Sequence, residues 1–193
     1  MSYFSQAGLY LIQVVFGFYI LLVLLRFLFQ LARADFYNPI SQFIVTLTQP
    51  PLGFLRRIVP GIGGIDLASV VLLVALQAAE LWLIHGLIQG VSINGAGLIV
   101  LAVARLLQLT VYVYIVAVLI RVILSWVNPY GTRHPVGELL NDLTDPLLVP
   151  ARRLIPPISG LDLSPIAVFV LLQLTLILLV RPLEDAGIAL MLR

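Results

Sequence analysis

A stretch rich in proline, glycine and arginine occurs twice in the chain, and its recurrence constrains the fold more than any other feature. Thr48 to Asp66 reads T-Q-P-P-L-G-F-L-R-R-I-V-P-G-I-G-G-I-D; Thr144 to Asp162, 96 positions later, reads T-D-P-L-L-V-P-A-R-R-L-I-P-P-I-S-G-L-D. Thr48, Pro50, Arg56, Arg57, Pro60, Gly64 and Asp66 recur at that offset as Thr144, Pro146, Arg152, Arg153, Pro156, Gly160 and Asp162. Gln77 and Gln173 keep the same offset, while Tyr19 and Tyr114, like Arg26 and Arg121, are 95 apart. Apolar helices match one another through leucine content alone, but this polar set does not. The chain is a tandem duplication.

The segments around the two copies are long and apolar. Hydrophobic residues make up 61% of the chain and charged residues 10%, with a mean hydropathy of +1.11; soluble proteins carry roughly 25% charged residues. Runs of about 20 apolar residues suffice to cross a hydrocarbon core. The expected spans are 7–29, 67–87, 102–124 and 163–180. The N-terminal region lacks a basic stretch ahead of its long apolar run, so it reads as a retained span rather than a cleaved signal.

Within each repeat, an amphipathic segment separates the two spans. Asn38 and Pro39 open the first, with Ile40, Phe43, Ile44 and Leu47 at helical spacing, a pattern suited to the membrane interface. Thr48 and Thr144 read as caps of a second short helix, tolerant of proline in its first turn. These interfacial helices are expected over 39–59 and 135–155. Asp66 and Asp162 read as caps of the following spans, although either could instead pair with an arginine of its own loop.

The expected fold is therefore all-α, with four transmembrane helices in two parallel tandem repeats, 1–95 and 96–193. Eight of the eleven arginines fall on the motif side or at its boundary. That bias places both motif loops in the cytoplasm and both termini outside.

Few patterns suggest chemistry. No cysteine is present, which excludes disulfides and thiolate metal sites. His85 and His134 are separated in the topology and make poor metal ligands. No nucleophile and base motif, phosphate-binding glycine loop or basic stripe for nucleic acid is visible, so neither enzyme activity, a cofactor nor nucleic-acid binding is expected. Arg56, Arg57, Arg152 and Arg153 are candidate contacts for lipid phosphate or an acidic partner, beside their role in setting topology. Glu80 and Arg105 are ionisable residues placed in or near spans, and an ion pair fastening spans two and three is expected of them. Gln77 and Gln173 are expected to hydrogen-bond across the pseudo-twofold.

The stretches P-A-R-R-L-I-P-P-I-S-G-L-D-L-S-P-I (150–166) and L-R-R-I-V-P-G-I-G-G-I-D-L (55–67) resemble the YggT/YlmG family, and the resemblance extends over the whole chain. Ala68 and Ser69 stand where the second copy has Ser164 and Pro165. The resemblance implies a small multi-pass protein of the bacterial inner membrane without established enzymatic activity. It also implies links to cell division, envelope organisation and osmotic-stress tolerance. The favoured expectation is an organising or assembly factor that contacts lipid, other inner-membrane proteins or a second copy of itself. The alternative is a small channel or transporter component.

Overall fold

The computed structural model describes residues 3–90, 92–127, 134–155 and 162–192. Helix α1 (Tyr3–Leu31) is the first span. It is followed by the amphipathic α2 (Pro39–Leu55) and by α3 (Leu67–Trp82), which a π-helical turn extends to Ile88. The second repeat comprises α4 (Gly95–Val127), α5 (Pro135–Leu154) and α6 (Ser164–Thr175). A second π-helical turn then leads into α7 (Arg181–Met191). Four helical stretches are long and apolar enough to cross a membrane: Tyr3–Leu31, Leu67–Ile88, Gly95–Val127 and Ser164–Met191. No more than a third of each most apolar window is buried within the protein, leaving the rest of the span surface for lipid. The protein is a multi-pass membrane protein built from two tandem repeats.

The bundle is organised on α4. Ile20, Val23, Leu24 and Leu28 of α1 meet Leu73 of α3, Leu106 and Ala117 of α4, and Leu139 and Leu143 of α5 in one core. Val111 and Val118 on α4 pack with Leu148 of α5 and with Val168, Leu172, Leu176 and Val180. Leu101 and Ala102 of α4 join Leu81 and Met191 in a third cluster. The amphipathic helices bridge the repeats: Asn38 caps α2 by accepting from the Ile40 amide at 3.0 Å, and its Nδ2 donates to the Pro135 carbonyl at the start of α5, 2.8 Å away.

Three local expectations are corrected. The paired interfacial helices are one continuous helix in each repeat, so Thr48 and Thr144 are buried helix-interior residues rather than caps. Each donates its hydroxyl to the carbonyl four residues back, Ile44 at 2.7 Å and Leu140 at 2.6 Å. Continuity through Pro50 and Pro51 leaves two carbonyls without their usual helical donors. The Tyr19 hydroxyl donates to one of them, Leu47, at 3.4 Å. Helix α2 ends at Leu55, where i to i−3 bonds from Arg57 and Ile58 tighten the chain ahead of Pro60.

The second correction concerns span three. Residues 95–101 belong to the α4 helix, which therefore begins seven residues before the expected start at 102. At 33 residues α4 is about 50 Å long, well beyond a hydrocarbon core of about 30 Å.

The third concerns the stretch after residue 180, where the fourth span was expected to end and the chain instead continues as helix. Pro182 lies in the first turn of α7, where its missing amide follows directly on the π-helical turn at Leu176–Val180. Widened helical turns accommodate such a lost bond. Helix α7 packs back along α4, and the Asn94 amide donates to the Met191 carbonyl at 3.0 Å.

Candidate functional site

The duplicated polar residues gather at one end of the bundle, where each repeat builds two polar brackets. The first ties a span to its amphipathic helix. Arg26 on α1 is 5% exposed; its Nη1 donates to Thr48 Oγ1 at 2.8 Å and to the Val45 carbonyl at 3.3 Å, and its Nη2 donates to Gln49 Oε1 at 2.7 Å. Because the Thr48 hydroxyl hydrogen is given to Ile44, its lone pairs face the guanidinium. In the second repeat Arg121 Nη1 donates to Thr144 Oγ1 at 2.6 Å and to Asp145 Oδ1 at 2.7 Å.

The second bracket closes the loop between amphipathic helix and span. Arg56 Nη2 and Nε reach Asp66 Oδ2 at 2.6 and 3.2 Å, and Ser69 Oγ donates to the same oxygen at 2.6 Å. Arg152 Nε reaches Asp162 Oδ2 at 2.8 Å, and the Ser164 amide donates to Asp162 Oδ1 at 2.9 Å. Gly63 and Gly64, at φ +63° and +84°, make the reverse turn that brings the chain back. Ile62 and Ile65 exchange backbone hydrogen bonds across it, and two successive positive φ values are what such a turn demands. Pro156 and Gly160 of the second copy lie outside the described residues.

Asp66 thus makes no capping bond to α3, contrary to the capping expectation; its contact with the first turn is the bond from the Ser69 hydroxyl. Asp162 adds to its ion pair a bond from the Ser164 amide, the first of α6, although Leu163 holds the cap position. Burial pushes the Asp66 carboxyl up, but hydrogen bonds from Arg56 and Ser69 and the Arg56 charge outweigh it and hold the group below the usual carboxylate range. Burial likewise pushes Asp162 up, and hydrogen bonding from Ser164 and Arg152 lowers it overall.

A cavity opens beside each pair of brackets. The first, about 640 Å³, is lined by Arg26, Gln30, Arg56 and Asp66 among others. The second, about 530 Å³, is lined by Arg121, Ser125, Arg152 and Asp162 among others. Arg57 and Arg153 stand outside both brackets, exposed and without an ion pair among the described residues.

The remaining candidates are distributed differently from expectation. Arg105 pairs with Glu184 of α7 at 2.7 Å rather than with Glu80. Glu80 instead accepts from Gln77 Nε2 at 2.7 Å within α3. Gln173 is exposed on α6, and the Gln77 side-chain amide donates to Glu80 rather than bonding across to it. The Arg105 correction has a clear cause, because α7 supplies the carboxylate and occupies the flank of α4. Arg105 and Glu184 are 44% and 17% exposed, so a double-mutant cycle between them is expected to give a coupling of about 0.2–1 kcal/mol. The same cycle between Arg105 and Glu80, read by thermal denaturation, should give a smaller value.

His134 Nδ1 accepts from the Val136 amide at 3.3 Å, and no cluster of metal-ligating side chains occurs among the described residues. Arg26 and Arg121 are members of the site that are absent from the candidates named from the sequence. Their shared offset, parallel to that of Thr48 and Thr144, was the available signal.

The CCB3/YggT family model matches residues 5–87 and again 100–183. The chain belongs to the CCB3/YggT family. A Pseudomonas aeruginosa relative described as uncharacterised is 46% identical over 172 residues, covering 88% of this chain and 86% of its own. The Escherichia coli K12 protein YggT, also described as uncharacterised, is 37% identical over 84% of both chains. A Vibrio alginolyticus relative is 42% identical over 85% of this chain and 88% of its own. No solved structure matches. The two family matches coincide with the two sets of brackets, so the CCB3/YggT unit in this chain is a span, an amphipathic helix, a closed loop and a second span.

Proposed function

We propose that the chain is a non-catalytic organising or assembly factor of the bacterial inner membrane, serving division or envelope processes. In this reading α2, α5 and the motif loops face the cytoplasm and both termini face the periplasm. The supporting observation is what each amphipathic helix leaves uncovered. Phe43 and Phe54 on α2, Ile58 just after it and Leu154 at the end of α5 are exposed, with Arg57 and Arg153 exposed in the same two stretches, while the duplicated partners Arg56 and Arg152 are engaged internally. Exposed apolar groups rimmed by cations suit an interface with other membrane proteins at the headgroup level. A conduction role has less support. Gln77 and Glu80 satisfy each other on α3, and Arg105 is engaged by Glu184.

Site-specific photocrosslinking in native membranes tests the reading. Crosslinkers at positions 54 and 154, both exposed, are expected to capture the same membrane-protein partner, and R57E/R153E should abolish that capture without changing the amount of protein inserted. Recovery of lipid alone from both positions would overturn the assembly role.

A further inference from the structure

The two repeats handle one electrostatic problem in different ways. Arg26 and Arg121 occupy equivalent places and donate to equivalent threonines. Beside the threonine the second repeat has Asp145, which forms an ion pair with Arg121 at 2.7 Å. The first has Gln49, which accepts from Arg26 at the same distance but carries no charge. Arg26 is also the more buried of the two, at 5% exposed against 18% for the Arg121 side chain. The deeper cation is the one without a carboxylate, an expensive arrangement unless something compensates it.

The adjoining cavity offers that place. Asp66 is its carboxylate and is already committed to Arg56, so its wall retains one positive charge. At the second cavity Asp162 is matched to Arg152 within the wall, and Asp145, which stands outside the lining, pairs with Arg121, leaving no uncompensated cation. A guanidinium has five N–H donors, and Arg26 uses three on Val45, Thr48 and Gln49. Nε–H and one Nη2–H have no acceptor among the described residues.

We infer that the first-repeat cavity binds one phosphate group as a monoanion, held chiefly by Arg26. Paired oxygens of a phosphate match the geometry of a guanidinium. The cavity also has apolar walls in Phe36, Val45 and Ile65, which accommodate the carbon atoms flanking a phosphodiester. It lies where α1 gives way to the amphipathic helix. Both a phospholipid headgroup and free phosphate carry the required chemistry. The inference holds whether or not the exposed groups of α2 and α5 recruit a protein.

The full-length protein in detergent is titrated separately with inorganic phosphate and with dihexanoyl-phosphatidylglycerol, read by calorimetry and by the shift in Tm. One equivalent is expected to bind in at least one arm. Gln49→Asp gives Arg26 the carboxylate that Arg121 already has; it should weaken that binding about tenfold or more without lowering the ligand-free Tm. Asp145→Gln should open the second cavity and raise the stoichiometry from one to two. Binding only in the lipid arm identifies a headgroup, and binding only in the phosphate arm identifies free phosphate; each supports the site. No binding in either arm, or Gln49→Asp binding as tightly as the wild type, overturns it. If Gln49→Asp does not fold, an unchanged stoichiometry in Asp145→Gln overturns it instead.

Discussion

Gly97→Val is expected to release α7 from α4 and to cost about 1–3 kcal/mol or more, the range for forcing atoms into a packed site. A Cβ at Gly97 would overlap the backbone of Leu190 and Met191, which cannot swing aside as a side chain can. The contact is reciprocal: a Cβ at Gly187 on α7 would come within 2.8 Å of the Leu101 backbone on α4. Small residues facing each other in this way let two helix backbones approach closely, a common source of association inside membranes. The Asn94–Met191 hydrogen bond and the Arg105–Glu184 ion pair lie on the same seam and would be lost with it. Gly95→Val is the control, since nothing lies within 4 Å of a Cβ there, and it should stay within about 0.5 kcal/mol of the wild type. Thermal denaturation followed by circular dichroism, with limited proteolysis after residue 180, separates the two. Equal stability of both variants would mean that the seam does not hold the last helix.

The second large effect is expected at Asp66. Its carboxylate is 5% exposed and receives three hydrogen bonds from two partners, whereas the Asp162 side chain is 32% exposed. Asp66→Ala removes charge-assisted bonds worth about 1.5–3 kcal/mol, and the lower end applies because water can reach Arg56, 38% exposed. Asp162→Ala should cost within about 1 kcal/mol, as for other half-exposed pairs. The pH dependence follows from the sign of the shift. A carboxyl held below its ordinary value in the folded protein adds stability that is fully present above that ordinary value. The contribution is lost as pH falls through the lower folded value. Wild-type Tm is therefore expected to be insensitive to this group above about pH 4 and to drop below it. Asp66→Asn should have a lower Tm at neutral pH and a shallower acid limb. Parallel acid limbs would show that the Asp66 carboxylate does not contribute.

Which parts of this architecture could be read from the residues depended on how far apart the cooperating residues lie in the chain. The spans were legible because length and hydropathy alone satisfy the membrane's demand for internally bonded backbone. The duplication was legible because polar residues at one offset have no compositional explanation. Thr48 misled because a threonine before prolines reads as a helix start. In the folded chain Tyr19 and Arg26, both on α1, supply donors to carbonyls around that proline bend, so the helix runs through. Asp66 misled for a similar reason, since a cap is the local option and Arg56 becomes reachable only after the turn at Gly63 and Gly64. Helix α7 was obscured by Arg181, Pro182, Glu184 and Asp185, which interrupt the apolar run. Once α7 is missed, Arg105 has only Glu80 as a conceivable partner. Gly187 and Met191, four apart and both buried, were the helical-spacing signal that would have exposed it.

The bond from Asn38 to Pro135 spans 97 residues, and this separation bears on how the protein is made. At ribosomal rates of about 5–20 residues per second, α5 emerges roughly 5–20 s after the residue that must greet it. The first repeat therefore enters the bilayer with the Asn38 amide lacking its acceptor and the flank of α1 against Leu139 and Leu143 uncovered. During that interval the newborn half carries an uncovered face that the finished protein hides.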